Sequence, residues 1–414
     1  MCARRDVCLP TLRTDATQMS STSTAIDTTR TVHPQPNWAT STIVDGNPAP
    51  GIHYPSAIAT LPIPAKEDEF DLVVLDGSNR LYVIDKQGGV KKTIGGPGSL
   101  PGEFLCNPRG LAVSDDGQTA YVADTGNNRI QRFRLSDSSL QAQAGYRPQA
   151  LPTGGAPVGL RGGVWKKYDL GSLSQPHGLA LHGEKLYVSD TYNHRIVVMS
   201  TVVPPVTKAS DGPDPLPELT PLFAFGSKGR DAGCFQYPKG LAIAAGATDD
   251  EPAELIVADT RNHRLQCFTL DGQRTRGVSG GGNEDWSVDA GRMIGSDLFS
   301  FPTNLAVSSA FAGCRGRFVF VSDQKARIIV LSLETLEPFC TLALSNPTRL
   351  RSASVLSSGL SPSAVCTHPP PRPPPGRNNK GPANPLPVYV AEYDEHTIRE
   401  ILIPPSDLKF GPEP

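Results

Sequence analysis

The chain has 414 residues and a formal net charge of −2, with 39 basic and 41 acidic side chains. A balance this close to zero does not require a polyanionic partner, and we expect binding neither to DNA nor to a membrane. Glycine and proline number 40 each, which favours many short strands joined by turns.

The cysteines and the start of the chain bear on compartment and metal binding. Eight cysteines are scattered without a C-x-x-C pair, so neither a zinc module nor a disulfide framework is predicted. The start lacks the apolar stretch of a secretory signal, and no apolar run is long enough to span a membrane. We therefore expect a cytoplasmic protein. A mitochondrial presequence is the alternative, because residues 1–40 combine Ser and Thr with four arginines, although Asp6, Asp15 and Asp27 argue against it.

The first segment is a predicted disordered tail, residues 1–40, with few large apolar side chains. From residue 41 to residue 404, short apolar runs of strand period recur. In the copy at 176–199, Pro-His-Gly-Leu-Ala-Leu is followed by a polar break and by Leu-Tyr-Val-Ser-Asp-Thr-Tyr-Asn-His-Arg-Ile-Val-Val-Met. The other copies begin at Pro55, Pro108, Pro238, Pro302 and Pro362. Six copies of short strands predict a propeller or a solenoid.

Each copy predicts three strands and requires a fourth before the next copy. Residues 92–94 and 222–225 are candidates for such outer strands. The last copy has no room for one, because Pro404 and Pro405 follow its third strand and proline cannot donate to a ladder. We therefore predict that residues 41–45 supply it, antiparallel to 398–403.

Several connections are longer than the repeat requires, at 135–175, 201–220 and 274–300. A Pro-rich insertion at 368–387 is predicted to separate the first two strands of the last copy as an exposed polyproline II stretch. It is either a stiff spacer or a docking site for a partner. Residues 405–414 form a predicted C-terminal tail.

The repeated residues resemble the NHL-repeat family, whose members are six-bladed β-propellers. The resemblance covers about 41–404. It implies an all-β fold, which the strand at 41–45 would close into a ring. The family is functionally diverse, so function must be argued from individual residues.

An aspartate and an arginine recur around the turn after the second strand. A unique active site would not be copied from blade to blade, so we interpret the pairs as structural. We expect turn capping with an ion pair near the surface, of small energetic value. The pairs are Asp124 and Arg129, Asp190 and Arg195, Asp259 and Arg264, and Asp323 and Arg327.

Topology predicts one mixed-to-basic face. In an up-and-down blade, the fourth-to-first and second-to-third connections share one face of the propeller. The opposite face carries acidic connections, including Asp115, Asp116 and Glu184. The basic-leaning face suits an acidic peptide, a phosphate-bearing ligand or RNA. Its candidate binding residues are Arg109, His177, Lys239, Thr303, His194, Arg261 and His263.

Three functions remain open. The first prediction is a monomeric, non-catalytic scaffold that binds protein partners and needs no metal or other cofactor. RNA binding is the second, although no aromatic cluster for base stacking is evident on the face. The third is a lyase or hydrolase using the axial channel. Propeller-type amidating lyases hold zinc with three histidines, two of which follow such a proline, whereas here only His177 does. No catalytic residue is predicted.

Overall fold

The computed structural model describes residues 38–44, 51–63, 69–104, 107–145, 172–203, 216–246, 251–279, 298–308, 317–325, 327–343, 364–367, 385–392 and 396–404. The predictions for residues 1–37, for most of the Pro-rich insertion and for 405–414 lie outside these ranges.

The described residues form six four-stranded antiparallel sheets, the blades of a propeller. Strand β1 (Ala39–Val44) comes first and belongs to the last blade. Blade 1 contains β2 (Pro55–Pro62), β3 (Phe70–Asp76), β4 (Leu81–Ile84) and β5 (Val90–Ile94). Blade 2 contains β6 (Gly110–Val113), β7 (Thr119–Asp124), β8 (Arg129–Arg134) and β9 (Leu140–Ala144). Blade 3 contains β10 (Pro176–His182), β11 (Lys185–Asp190), β12 (Arg195–Ser200) and β13 (Pro221–Phe225).

The other three blades follow the same plan. Blade 4 contains β14 (Pro238–Ala244), β15 (Glu254–Asp259), β16 (Arg264–Thr269) and β17 (Arg274–Ser279). Blade 5 contains β18 (Asn304–Val307), β19 (Phe318–Asp323), β20 (Arg327–Ser332) and β21 (Pro338–Ala343). Blade 6 contains β22 (Ala364–Thr367), β23 (Leu386–Glu392) and β24 (Thr397–Ile403). Single 3₁₀ turns join the second and third strands of blades 2, 3 and 4 at Thr125–Asn127, Thr191–Asn193 and Thr260–Asn262.

The all-β propeller and both candidate outer strands are confirmed. Three segments differ in extent from their prediction. The connections predicted at 135–175 and 274–300 contain the outer strands β9 and β17. The Pro-rich insertion separates β22 from β23 as predicted. It is predicted to extend to residue 387, but β23 already begins at Leu386.

Apolar cores lie between neighbouring blades. The second strands β3 and β7 are buried at every residue, because a blade packs on each side of them. The outer strand β5 alternates exposed and less exposed positions instead. Each of the six apolar clusters draws mainly on two adjacent blades, so every blade depends on both neighbours.

Neighbouring inner strands touch backbone to backbone at a repeated glycine. A Cβ at Gly110 would overlap the carbonyl oxygen of His177, and one at Gly178 would overlap that of Lys239. A Cβ at Gly240 would lie 2.7 Å from the Cα of Asn304. Glycine is therefore required for the close approach of successive blades. This approach sets residues at the same repeat position side by side.

The buried Asp–Arg pairs hold the connection that enters each blade. In blade 2, Arg129 Nε donates to Asp124 Oδ2 at 2.7 Å, and both side chains are 0% exposed. The arginine also donates to the carbonyl oxygens of Ser99, Leu100 and Glu103. The expectation of a surface pair is wrong, because this charge is desolvated and its N–H groups clamp a loop.

The same clamp recurs in blades 3 to 5. Arg195, Arg264 and Arg327 each donate to their aspartate and to backbone carbonyls of the incoming connection. The aspartates accept backbone N–H groups from that connection as well, as Asp190 Oδ1 does from Ser174 at 2.7 Å. Burial raises the pKa of Asp190 and of its counterpart Asp259, although the paired arginines oppose this.

A second repeated contact joins one blade to the next. The left-handed residue that ends each 3₁₀ turn accepts a hydrogen bond from the backbone N–H of the residue before the next blade's proline. His194 Nδ1 accepts from Tyr237 at 3.1 Å, and His263 Nδ1 accepts from Phe301 at 3.3 Å. In blade 2 the acceptor is Asn128 Oδ1 at 2.8 Å. We call these contacts the blade joints.

The ring closes with the predicted pair of segments, but β1 spans Ala39–Val44 and so begins inside the tail predicted at 1–40. Strand β1 pairs antiparallel with β24, from Ala39 opposite Leu402 to Val44 opposite Ile398. Trp38, just before β1, is buried between blades 5 and 6, and Val44 is buried between blades 6 and 1. Pairing removes the open edge that the last blade would otherwise expose.

Truncation tests ring closure. A chain that begins at Asn37 keeps Trp38 and β1, so its melting temperature is expected to match that of the full chain. A chain that begins at Pro48 loses a strand ladder and its buried face, which costs several kcal/mol. Thermal melting followed by circular dichroism separates the two variants. Identical melting temperatures would contradict the role of β1.

Two arginines of β8 test the clamp. Arg129→Met leaves the buried carboxylate of Asp124 without its arginine, which should lower the free energy of unfolding by about 3–5 kcal/mol. Arg134 forms an ion pair with Asp137 in which the side chains are 51% and 50% exposed. Arg134→Met should cost less than about 1 kcal/mol. Urea denaturation measures both, and equal losses would refute the clamp.

The blade joints predict acid sensitivity. Nδ1 of His194 and His263 must stay unprotonated to accept, and burial with nearby Lys228, Arg261 and Lys325 lowers the pKa of both imidazoles. At these two histidines the unfolded chain binds more protons than the folded chain does. Stability therefore falls as the pH drops below about 6.5, the ordinary pKa of histidine. The double variant His194→Asn/His263→Asn keeps an acceptor, as Asn128 does. Its melting temperature should fall less between pH 7 and pH 5 than that of the unaltered chain, because no lowered imidazole pKa remains at these two joints. Parallel pH profiles would argue against the titration of these joints.

Candidate functional site

A cavity of about 620 Å³ lies on the face formed by the fourth-to-first and second-to-third connections. Its described lining comes from blades 2 to 5, from the starts of the inner strands and from the turns after the second strands. The lining residues are Asn107, Arg109, Thr125, Gly126, Gln175, His177, Thr191, Tyr192, Tyr237, Lys239, Thr260, Arg261, Phe301 and Gln324.

The repeat brings the predicted basic residues together. Arg109, His177 and Lys239 occupy the same repeat position at the start of three successive inner strands, with Arg109 directly before β6. The glycine that follows each residue is the point where neighbouring strands touch. Arg261 reaches the cavity from the 3₁₀ turn of blade 4. Four of the seven predicted face residues therefore share one cavity.

Positive charge accumulates in this cavity. Burial, together with Arg109 and Arg261, lowers the pKa of Lys239 to about 8. His177 is partly exposed to the cavity, but burial and the nearby Lys239 and Arg109 lower its pKa well below the usual range. None of the described lining residues is acidic. The cavity is therefore suited to an anionic ligand.

The other three predicted face residues do not line the cavity. His194 and His263 belong to the blade joints. Thr303 is buried, and its hydroxyl lies 3.0 Å from that of Ser322. The structure gives all three residues contacts within the fold. Their placement on a binding surface stays a prediction.

Aromatic residues that sequence reasoning missed form part of the wall. The Tyr192 and Tyr237 ring centroids are 5.2 Å apart, and the Arg261 guanidinium lies over the Tyr237 ring at 4.4 Å. Tyr192 is 52% exposed, and Phe301 also lines the cavity. The expectation of a face without clustered aromatic residues is wrong. The sequence feature that could have predicted this aromatic wall is the residue before each repeated proline, which is Tyr237 in blade 4 and Phe301 in blade 5.

These pre-proline residues are held in an unusual backbone conformation. Gln175, Tyr237 and Phe301 have positive φ angles of 48°, 53° and 52°. This left-handed conformation is uncommon for residues other than glycine and costs about 1–3 kcal/mol each. The blade joints bond the backbone N–H of each of the three residues and so support it.

A second cavity, of about 280 Å³, follows the axis between the inner strands. Its lining residues are mainly apolar and include Ala180, Ala242, Ala306 and Cys366. Burial raises the pKa of the Cys366 thiol far above its usual range, so the thiolate is disfavoured.

The part of the chain that the structure describes contains no group of three or more His, Cys, Asp or Glu side chains able to hold a metal. Within those same ranges, no helix is long and apolar enough to cross a membrane.

Comparisons with known proteins identify the repeat. The family model described as NHL repeat matches residues 105–133 and 173–199, which run through the first three strands of blades 2 and 3. NHL repeat-containing protein 2 of Gallus gallus is 26% identical over 349 residues, covering 64% of this chain and 45% of that protein. Its Homo sapiens counterpart is 25% identical over 235 residues, covering 53% and 31%.

Two further similarities are more limited. Protein SUPPRESSOR OF QUENCHING 1, chloroplastic, of Arabidopsis thaliana is 26% identical over 201 residues, covering 48% of this chain and 17% of that protein. The chain thus spans less than half the length of these curated relatives. A solved chain of hydrazine synthase from Kuenenia stuttgartiensis superposes with a TM-score of 0.47 at 11% identity, covering 85% of this chain and 96% of that one. Together, the matched repeats and the six observed blades show that this chain contains NHL repeats and folds as a six-bladed β-propeller.

Proposed function

We propose that this propeller is a non-catalytic interaction domain that recognises an anionic segment of a protein partner through the 620 Å³ cavity. One observation carries the proposal: Arg109, Lys239 and Arg261 converge on a concave site whose described lining holds no acidic residue. NHL-repeat propellers commonly mediate protein interactions, which supports a protein partner.

The physical basis is complementarity of charge and shape. Like charges gathered in a partly buried site repel one another, and an anionic partner removes that repulsion on binding. The rings of Tyr192, Tyr237 and Phe301 supply rigid apolar area beside the cations. Aromatic and arginine side chains at the centre of an interface contribute most of the binding energy in many complexes.

RNA binding is the second candidate, and the aromatic wall favours it. The exposed ring of Tyr192, beside Tyr237 and Arg261, offers a surface on which a base can stack. Capture that depends on RNA would separate this candidate from the first.

Charge reversal tests the proposed function. The variant Arg109→Glu/Lys239→Glu should lose at least ten-fold in the amount of partner protein captured from source cells, without a change in circular dichroism. The matched control is Lys228→Glu/Arg230→Glu, because both residues are exposed on the same face but do not line the cavity. Capture that both variants retain would contradict the proposal. Capture that RNase abolishes would favour RNA instead.

A further inference from the structure

We infer that the cavity takes a phosphate monoester, a terminal dianion presented by its ligand, in preference to a carboxylate or a nucleic-acid backbone. This inference rests on the proposed function, because it names the charged group that the same site would recognise.

The first argument is the charge of the site. Arg109, Lys239 and Arg261 bring three cationic groups to one lining, alongside His177. A carboxylate offers one negative charge and two oxygens. A phosphate monoester carries about −1.5 to −2 at pH 7 and three strong acceptor oxygens. Guanidinium groups match such oxygens with paired N–H donors, so the monoester satisfies more of this site.

The second argument is the shape of the site. Four blades enclose a volume of about 620 Å³, within the range that holds one small ligand or one inserted side chain. A phosphodiester backbone instead requires an extended groove along which successive phosphates can lie. The rings of Tyr192, Tyr237 and Phe301 stand beside the cations and can contact the group that carries the phosphate.

The third argument concerns the hydroxyl groups of the lining. Thr125, Thr191 and Thr260 already donate to the carbonyl oxygens of Pro176, Pro238 and Pro302 in the next blade. Their hydroxyl hydrogens are committed to the fold, so these threonines do not supply the donors that a ligand would use.

Protonation of Lys239 provides a direct measure of ligand binding. Its pKa of about 8 means that the free protein is only partly protonated there at pH 8. A bound dianion raises that pKa, so binding must take up a fraction of a proton at pH 8 and less at pH 6.5. Calorimetry in buffers of different ionisation enthalpy measures this uptake.

The experiment is isothermal titration of the full chain with phenyl phosphate and with benzoate, which share a ring and differ in the anionic group. Phenyl phosphate should bind at least ten-fold more tightly, with proton uptake at pH 8. Lys239→Arg should keep binding and lose the uptake, whereas Lys239→Met should weaken binding at least ten-fold. Lys228→Met, on the same face outside the cavity, should bind as the unaltered chain does. Melting curves establish that each variant is folded.

Two further ligands identify the source of the phosphate. Tighter binding of a capped phosphoserine peptide than of ribose 5-phosphate indicates a phosphorylated protein, and the reverse indicates a small phosphorylated metabolite. Either result supports the inference, but a preference for the metabolite would contradict the protein partner of the proposed function. Benzoate or an RNA hexamer without terminal phosphate binding as tightly as phenyl phosphate would overturn it. If phenyl phosphate does not bind but charge reversal still abolishes partner capture, the proposed function survives and this inference does not.

Discussion

A buried carboxylate that must be paired underlies the geometry of blades 2 to 5. An unpaired charge in this position would be strongly destabilising, so each aspartate binds an arginine, and each arginine binds the connection entering its blade. The pair therefore fixes two segments relative to each other: the turn after the second strand and the loop before the first. Both segments line the 620 Å³ cavity, so the clamp also sets its walls.

In blades 1 and 6, the carboxylate at the end of the second strand has different partners. In blade 1, Asp76 accepts from Ser78 and from the backbone of His53. In blade 6, Glu392 accepts from Thr397 and pairs with Arg399. No described residue of these two blades lines the cavity. The cavity thus follows the regular part of the repeat, where successive blades present equivalent loops at equivalent heights.

Structure and candidate chemistry occupy different positions of the repeat. The glycine, the aspartate and the arginine recur because strand contact and charge burial require them. The residue after the inner-strand proline is free of those demands, and it varies as Arg109, His177, Lys239 and Thr303. Close packing of the inner strands then turns residues far apart in sequence into neighbours. A binding site can therefore be assembled by changing one position per blade, at the electrostatic cost reflected in the lowered pKa of Lys239.

The sequence alone determined the strands, the six-fold repeat and the closing strand β1. These follow from local rules: apolar period, turn residues, and the inability of Pro404 and Pro405 to continue a ladder. It also placed Arg109, His177 and Lys239 on one face, since topology assigns faces. Only the tertiary structure decided that Asp124 and Arg129 are fully buried, that His194 and His263 join blades, and that Tyr237 and Phe301 turn into the cavity. Those features depend on the distance between neighbouring blades, and a pattern read along one chain carries the order of residues but not the packing between its repeats.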